Sequence, residues 1–228
     1  MMGTISEMTG KLLEMLNYIL ALLPALMSGV VITLKVFAFT LIISIPLGIL
    51  VALGRLSRLK IIQRLAQLYI WVVRGTPLLL QLIFIFFGLP MIGIVFSRFN
   101  SVMIAFSLNY AAYYGEIFRG GIASIDRGQY EAAEMLGMSK QQTFIRVILP
   151  QVIKRTLPAV ANEVITLVKD TSLVYILGLS ELLRAAKIAA NRDVTLAPLV
   201  VAGVFYLILT AVFTKVLQQM EERYAYYE

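Results

Sequence analysis

Residues 24–53, PALMSGVVITLKVFAFTLIISIPLGILVAL, form an apolar run long enough to cross a bilayer, and runs of this kind recur along the chain. A spanning helix needs about 20 apolar residues for a hydrocarbon core of about 30 Å. Barrel strands would instead alternate over segments of about ten residues. The fold class that follows is an all-α integral membrane protein. Charged residues make up only 14% of the chain, against about 25% in soluble proteins. The chain has no cysteine and no histidine. That excludes disulfides and thiolate sites, and it removes the commonest nitrogen ligand and acid–base residue. The opening, MMGTISEMTGKLLEML, lacks a basic start and a small-residue cleavage site, so it does not read as a cleaved signal peptide. The net charge of +7 fits basic loops that set topology better than a nucleic-acid surface.

Five transmembrane helices are expected, near residues 24–53, 61–87, 100–122, 152–177 and 196–216, forming a single transmembrane domain over 1–228. A mildly amphipathic helix leads into the first. Gly75-Thr76-Pro77 interrupts the second. Lys and Arg orient the chain. Arg55, Arg58, Lys60 and Arg64 follow span one. Arg119, Arg127, Lys140, Arg146, Lys154 and Arg155 belong to the long polar loop between spans three and four and its flanks. Lys215 and Arg223 lie at the C-terminal end. These twelve face five on the other side, Lys11, Arg98, Arg184, Lys187 and Arg192. The positive-inside rule then places the N-terminus outside, the C-terminus inside and the long loop in the cytoplasm. The external segment SELLRAAKIAANR has apolar residues at helical spacing, so a short interfacial helix is expected there.

The long loop, residues 124–150, carries two helix-start signals. Asp126 with Gln129, and Ser139 with Gln142, each suit a capping box. Gly137 suits a left-handed residue closing the first helix, and Pro150 should end or kink the second. A small Ala132-Ala133 face would let another protein's backbone come close. EAA at 131–133, Gly137 and Leu149-Pro150 resemble the EAA loop of ATP-binding-cassette importer permeases. Val147 stands where that family has isoleucine. LLPALMSGVVITLK, VVRGTPLLLQ, NYAAYYGEIFRGGIASIDRGQYEAAEMLG and KDTSL resemble the polar-amino-acid subgroup, in the same order. The resemblance implies the type I importer permease architecture, in a dimer with an identical or related permease subunit. It also implies two cytoplasmic ATPase subunits that carry ATP and magnesium, and an extracytoplasmic substrate-binding protein. Tyr130, Glu131, Ala132, Ala133, Leu136 and Gly137 would form the coupling helix on the ATPase. This chain has no GxxxxGK motif followed by Ser or Thr, so it would not bind ATP through a phosphate loop. No covalent chemistry and no cofactor of its own are expected.

Charges inside a membrane are costly and mark functional candidates. Glu163, Thr166 and Asp170 share one stripe of span four, with Asn162 at its edge. Asn109, Tyr113 and Glu116 share one stripe of span three. Two acidic stripes suggest a cavity of negative potential. Internal pairing is the alternative: Arg119 stands three residues after Glu116, and Arg74 lies beside the broken span. Glu163 has no basic residue three or four positions away. At about 1.5 Å per residue, Glu163 and Asn109 fall near mid-membrane. Glu116 and Asp170 lie about 10 Å to either side, so one amino acid reaches all three acids only if the helices kink. Glu116 and Asp170 belong to motifs shared with the subgroup, whereas Glu163 lies outside them and is the candidate for side-chain specificity. The expected cargo is a basic amino acid, arginine ahead of lysine and histidine. Its carboxylate would use N–H groups freed around Thr76 and at Leu78, which opens the following half-helix; a plain proline kink is the alternative. Tyr69, Trp71 and Tyr224–Tyr227 read as interface belt or packing. A permease for neutral or acidic amino acids, a proton-coupled transporter and a membrane enzyme are the rival readings.

Overall fold

The computed structural model describes residues 2–224, with side chains from Gly10 onward except Leu12. Every described element is helical. Helix α1 runs unbroken from Met2 to Arg55, so the lead-in helix and the first span are one piece. Pro24 does not separate them; membrane helices tolerate proline where neighbours satisfy the freed carbonyl. Helices α2 (Lys60–Arg74) and α3 (Leu78–Ile83) are the two halves of the interrupted span. The halves meet at 101°, because Pro77 has no N–H to continue the helix; at Gly75 a Cβ would lie 2.7 Å from the Trp71 carbonyl oxygen. A π turn over Phe84–Gly88 and a 3-10 turn over Leu89–Ile92 extend α3, and Gly93 closes them in the left-handed region at φ 85°. Helix α4 (Arg98–Ala123) opens with Ser97, whose side chain accepts from the Asn100 N–H. Helices α5 (Arg127–Met135) and α6 (Lys140–Thr143) form the long loop. After a π turn over Phe144–Ile148 come α7 (Leu149–Asp170), α8 (Leu182–Asp193) and α9 (Ala197–Tyr224).

By length and apolarity, Leu13–Arg55 and Ala197–Tyr224 qualify as membrane spans, and the bent α2–α3 pair makes a third if it is one span. Helices α4 and α7, with 26 and 22 residues, are about 39 and 33 Å long, but their Asn, Tyr, Thr and Glu residues dilute the apolar signal. For α4 the reason is burial. Ser101, Ser107, Asn109, Tyr110 and Tyr114 are all enclosed by protein, and a helix surrounded by other helices need not itself be lipid-soluble.

The chain divides into two compact units. One comprises Met1–Phe37 and Val168–Thr210; the other comprises Ala38–Leu167 and Ala211–Glu228. In the first, Leu22, Leu26 and Val30 of α1 pack with Leu182, Ala186 and Ala189 of α8 and Ala202 of α9. Gly29 allows this approach, since a Cβ there would lie 2.8 Å from the Leu182 Cα. Glu181 caps α8: its carboxylate accepts from Leu183 N–H at 2.6 Å, Arg184 N–H at 2.7 Å and the Tyr206 hydroxyl at 3.0 Å. At the other end of α8, the Tyr18 hydroxyl donates to Asp193 at 2.6 Å. The apolar stripe expected to lie in a membrane interface is therefore buried against α1 and α9. The corrected reading of α8 is a packed helix, and its alanines are small because helices meet there.

In the second unit α4 is the centre. Gly48 of α1 sits where a Cβ would come within 2.6 Å of the Tyr114 Cβ, and Gly115 faces Val51 equally closely. Small residues at helix contacts are what membrane proteins use to bring backbones together. Gly121 makes the same allowance for Thr156 of α7.

Candidate functional site

The broken span poses an accounting problem, because Pro77 and the turn leave carbonyls without helical partners. Gln81 of α3 solves most of it. Its amide nitrogen donates to Val73 O at 2.8 Å, to Thr76 Oγ1 at 2.9 Å and to Thr76 O at 3.2 Å. The Thr76 hydroxyl donates in turn to Val72 O at 2.9 Å. The Gln81 oxygen accepts from Asn109 Nδ2 at 3.1 Å, which fastens the break to α4. Thr76 and Asn109, both expected at the cargo, are thus joined to each other through a residue that sequence reasoning missed. Its signal was a single amide in the apolar run LLLQLIFIFF, just past the break. The Leu78 side chain is buried. Tyr69, read as belt or packing, also holds α2 to α4 through a hydrogen bond to Leu108 O at 2.5 Å.

Glu116 pairs internally. Arg119 grips it at both oxygens, Nη2 at 2.5 Å and Nε at 3.0 Å, and Arg55 Nε lies 4.0 Å away. Arg74 stacks over the Tyr113 ring, 5.0 Å from its centroid. Around Glu116 the local potential is therefore positive, which corrects the expectation of an acidic cavity on this stripe. The alternative of internal pairing holds here: helical spacing pointed to Arg119 and the break pointed to Arg74, whereas Arg55, which α1 brings, gave no local signal.

Glu163 is half-buried in α7 and lies within electrostatic reach of the buried Tyr114 hydroxyl. Thr166 is half-buried and donates to Asn162 O at 2.9 Å, while Asn162 itself is exposed. Asp170, the last residue of α7, belongs to the other compact unit. The structure thus groups Thr76 with Asn109 and Glu116 with Tyr113.

The long loop is built as two short helices hinged at Gly137, which is left-handed at φ 71°. The Gly137 N–H bonds Glu134 O at 2.8 Å and the Met138 N–H bonds Ala133 O at 3.1 Å, closing α5. Ser139 and Gln142 form the expected capping box. At α5 only half of one forms: Asp126 accepts from Gly128 N–H at 2.7 Å. Gln129 is turned instead to Gln151 of α7, whose amide donates to it at 2.9 Å and to Val147 O at 2.8 Å. Pro150 does not end the second helix. A wide turn absorbs it, with the Leu149 N–H reaching Phe144 O. Ile125, Ile148 and Val152 form a small core beneath the loop, and Arg155 clamps it by donating to the Ser124 carbonyl and hydroxyl. Ala133 is 2% exposed, so it packs inside the chain. The open surface is Tyr130, Glu131, Ala132, Leu136 and Gly137, with Met135. A docking face that includes Ala133 is corrected accordingly: of the two alanines, Ala132 alone is on the open side.

Comparison with known proteins agrees with this construction. Residues 44–225 match the family model described as binding-protein-dependent transport system inner membrane component. The arginine transport system permease protein ArtQ of Bacillus subtilis is 38% identical over 88% of this chain and 93% of its own length. The L-cystine transport system permease protein TcyB of the same organism is 37% identical over 88% and 86%. Among solved structures, an amino acid ABC transporter crystallised with histidines superposes with a TM-score of 0.84, at 37% identity, over 92% of this chain and 97% of its own. The chain belongs to the family of binding-protein-dependent transport system inner membrane components, as an integral inner-membrane permease subunit and not an enzyme.

Proposed function

We propose that this chain is the permease subunit of an ATP-driven amino-acid importer and that its cargo is a basic amino acid, arginine first. The observation that carries the cargo assignment is Glu163, a half-buried carboxylate inside a membrane helix. A cationic side chain complements a carboxylate most strongly where the surrounding dielectric is low. The arginine system among the relatives supports the same reading. Five spans with the N-terminus outside, a paired permease subunit, two ATPases on the loop surface and an external binding protein complete the proposal. Asn162 and Thr166 flank Glu163 on the cargo side, and Asp170 serves a step common to all cargoes. Thr76, Leu78, Asn109, Tyr113 and Glu116 shape the neighbouring helices.

A neutral polar cargo is the second reading. It is favoured by the pairing of Glu116 with Arg119 and by the cystine system among the relatives. The experiment is cargo-stimulated ATP hydrolysis by the reconstituted complex with its binding protein, across basic, neutral and acidic amino acids. Arginine should stimulate most strongly. Glu163→Gln should weaken half-maximal stimulation by arginine about tenfold, the order expected for loss of one charge-assisted contact, with assembly unchanged. Equal stimulation by glutamine, or an unaltered arginine response in the variant, would select the neutral reading.

A further inference from the structure

The guanidinium cluster around Glu116 has more charge than pairing requires. Arg55, Arg74 and Arg119 act on one carboxylate, leaving an excess of two positive charges. Arg119 is committed to the bidentate pair. Arg55 has a buried Nε without a hydrogen-bond partner and reaches Gln67 only at 3.5 Å. Arg74 is exposed, and among the described residues its guanidinium stacks on Tyr113 with no hydrogen-bond acceptor. Arg55, Arg74 and Glu116 line a cleft of about 450 Å³, together with Trp71, which is 72% exposed.

Helix α2 presents two faces to its surroundings. Gln67, Trp71 and Arg74 share one stripe and line the cleft. Ile61, Leu65, Leu68 and Val72 form an adjacent stripe that is apolar and exposed. A cationic pocket bordered by an exposed indole and an apolar helix face matches a molecule with an anionic head and a hydrocarbon tail. An inorganic anion would use only the first of these features. The cleft lies about two helical turns from the C-terminal end of α4, which leads directly into the long loop.

We propose that this cleft binds the phosphodiester headgroup of an anionic phospholipid. Arg74 and Arg55 donate to the phosphate oxygens, and the acyl chains lie along the apolar face of α2. Guanidinium groups suit this task because they present several N–H donors to phosphate oxygens in a fixed plane.

The test uses the assembled permease–ATPase complex in nanodiscs of mixed phosphatidylcholine and phosphatidylglycerol, with retained lipids counted by native mass spectrometry. Wild type should retain phosphatidylglycerol in a saturable way as its fraction in the bilayer rises. Arg74→Gln should reduce that retention about tenfold, Arg74→Lys should restore part of it, and Arg58→Gln, outside the cleft, should change nothing. Retention in wild type that rises without saturation would overturn the proposal, and that arm needs no variant to fold. So would equal losses in the Arg58 and Arg74 variants, which would indicate bulk surface charge. Displacement of the lipid by millimolar inorganic phosphate would make the cleft a free-anion site, and displacement by arginine or glutamine would make it part of the cargo path; either result overturns it. Cargo-stimulated hydrolysis is a separate readout, so failure here leaves the importer assignment standing.

Discussion

Asn109 is nearly inaccessible and gives a hydrogen to Gln81, whose other end satisfies the carbonyls of a broken helix. Removing one member of such a chain strands the rest, and a buried unsatisfied polar group costs about 1–3 kcal/mol. Gln81→Leu should therefore lower the unfolding midpoint of the purified complex more than Leu80→Ala, which trims an exposed side chain one residue earlier. Glu181 gives a second prediction at this scale. Burial pushes its carboxyl above the ordinary range, although the Leu183 and Arg184 N–H groups and the Tyr206 hydroxyl partly oppose the shift. A raised folded-state value means that the folded form holds the proton more tightly than the unfolded form. The resulting stabilisation is complete below the unfolded carboxylate range and is lost as pH rises through the folded value. Melting curves from about pH 4 to pH 7 should show a downward trend in wild type that Glu181→Gln flattens. The long-range part of each role was hidden in the one-dimensional pattern: Gln81 lies 28 residues from Asn109, and Tyr206 lies 25 residues from Glu181.

The loop of α5 and α6 was more legible. Gly137, Ser139 and Gln142 act within a few residues of themselves, so their spacing carries the geometry. Gln129 departed from its expected role because Gln151, a residue of another helix, offered it a competing partner. The burial of Ala133 changes how docking should be tested. Ala133→Asp would place a carboxylate inside the loop and so report on folding. Leu136, at 80% exposure, is the better probe. Leu136→Asp should leave stability within about 0.5 kcal/mol while reducing transport at least about tenfold, with the ATPases still hydrolysing ATP. Normal transport by this variant would move the docking surface off α5. Gly137→Ala should cost about 1–2 kcal/mol, because a Cβ is strained in the left-handed region. A thermal melt compared with Gly120→Ala, where a Cβ has open space, measures it.

At the scale of the whole molecule, topology can be tested directly because the chain has no cysteine. Single cysteines at Lys140 and Asn191, both exposed, should react with a membrane-impermeant maleimide from opposite sides: position 140 in inside-out vesicles, position 191 in right-side-out vesicles. Labelling of both from one side would reject the proposed orientation. Hydropathy and local capping chemistry determined the helical class, the break at Gly75–Pro77 and the hinge at Gly137. Each depends on composition or on neighbours within about one or two helical turns, which a sequence displays. The tertiary structure alone decided that Arg55 joins the arginines around Glu116, that Asn109 and Thr76 meet through Gln81, that α8 hides its apolar stripe, and that Ala133 faces inward. Those outcomes depend on which helices pack together. Electrostatic and hydrogen-bond partners inside a membrane protein are supplied across helices far apart in the chain, where periodicity identifies a face but not its occupant.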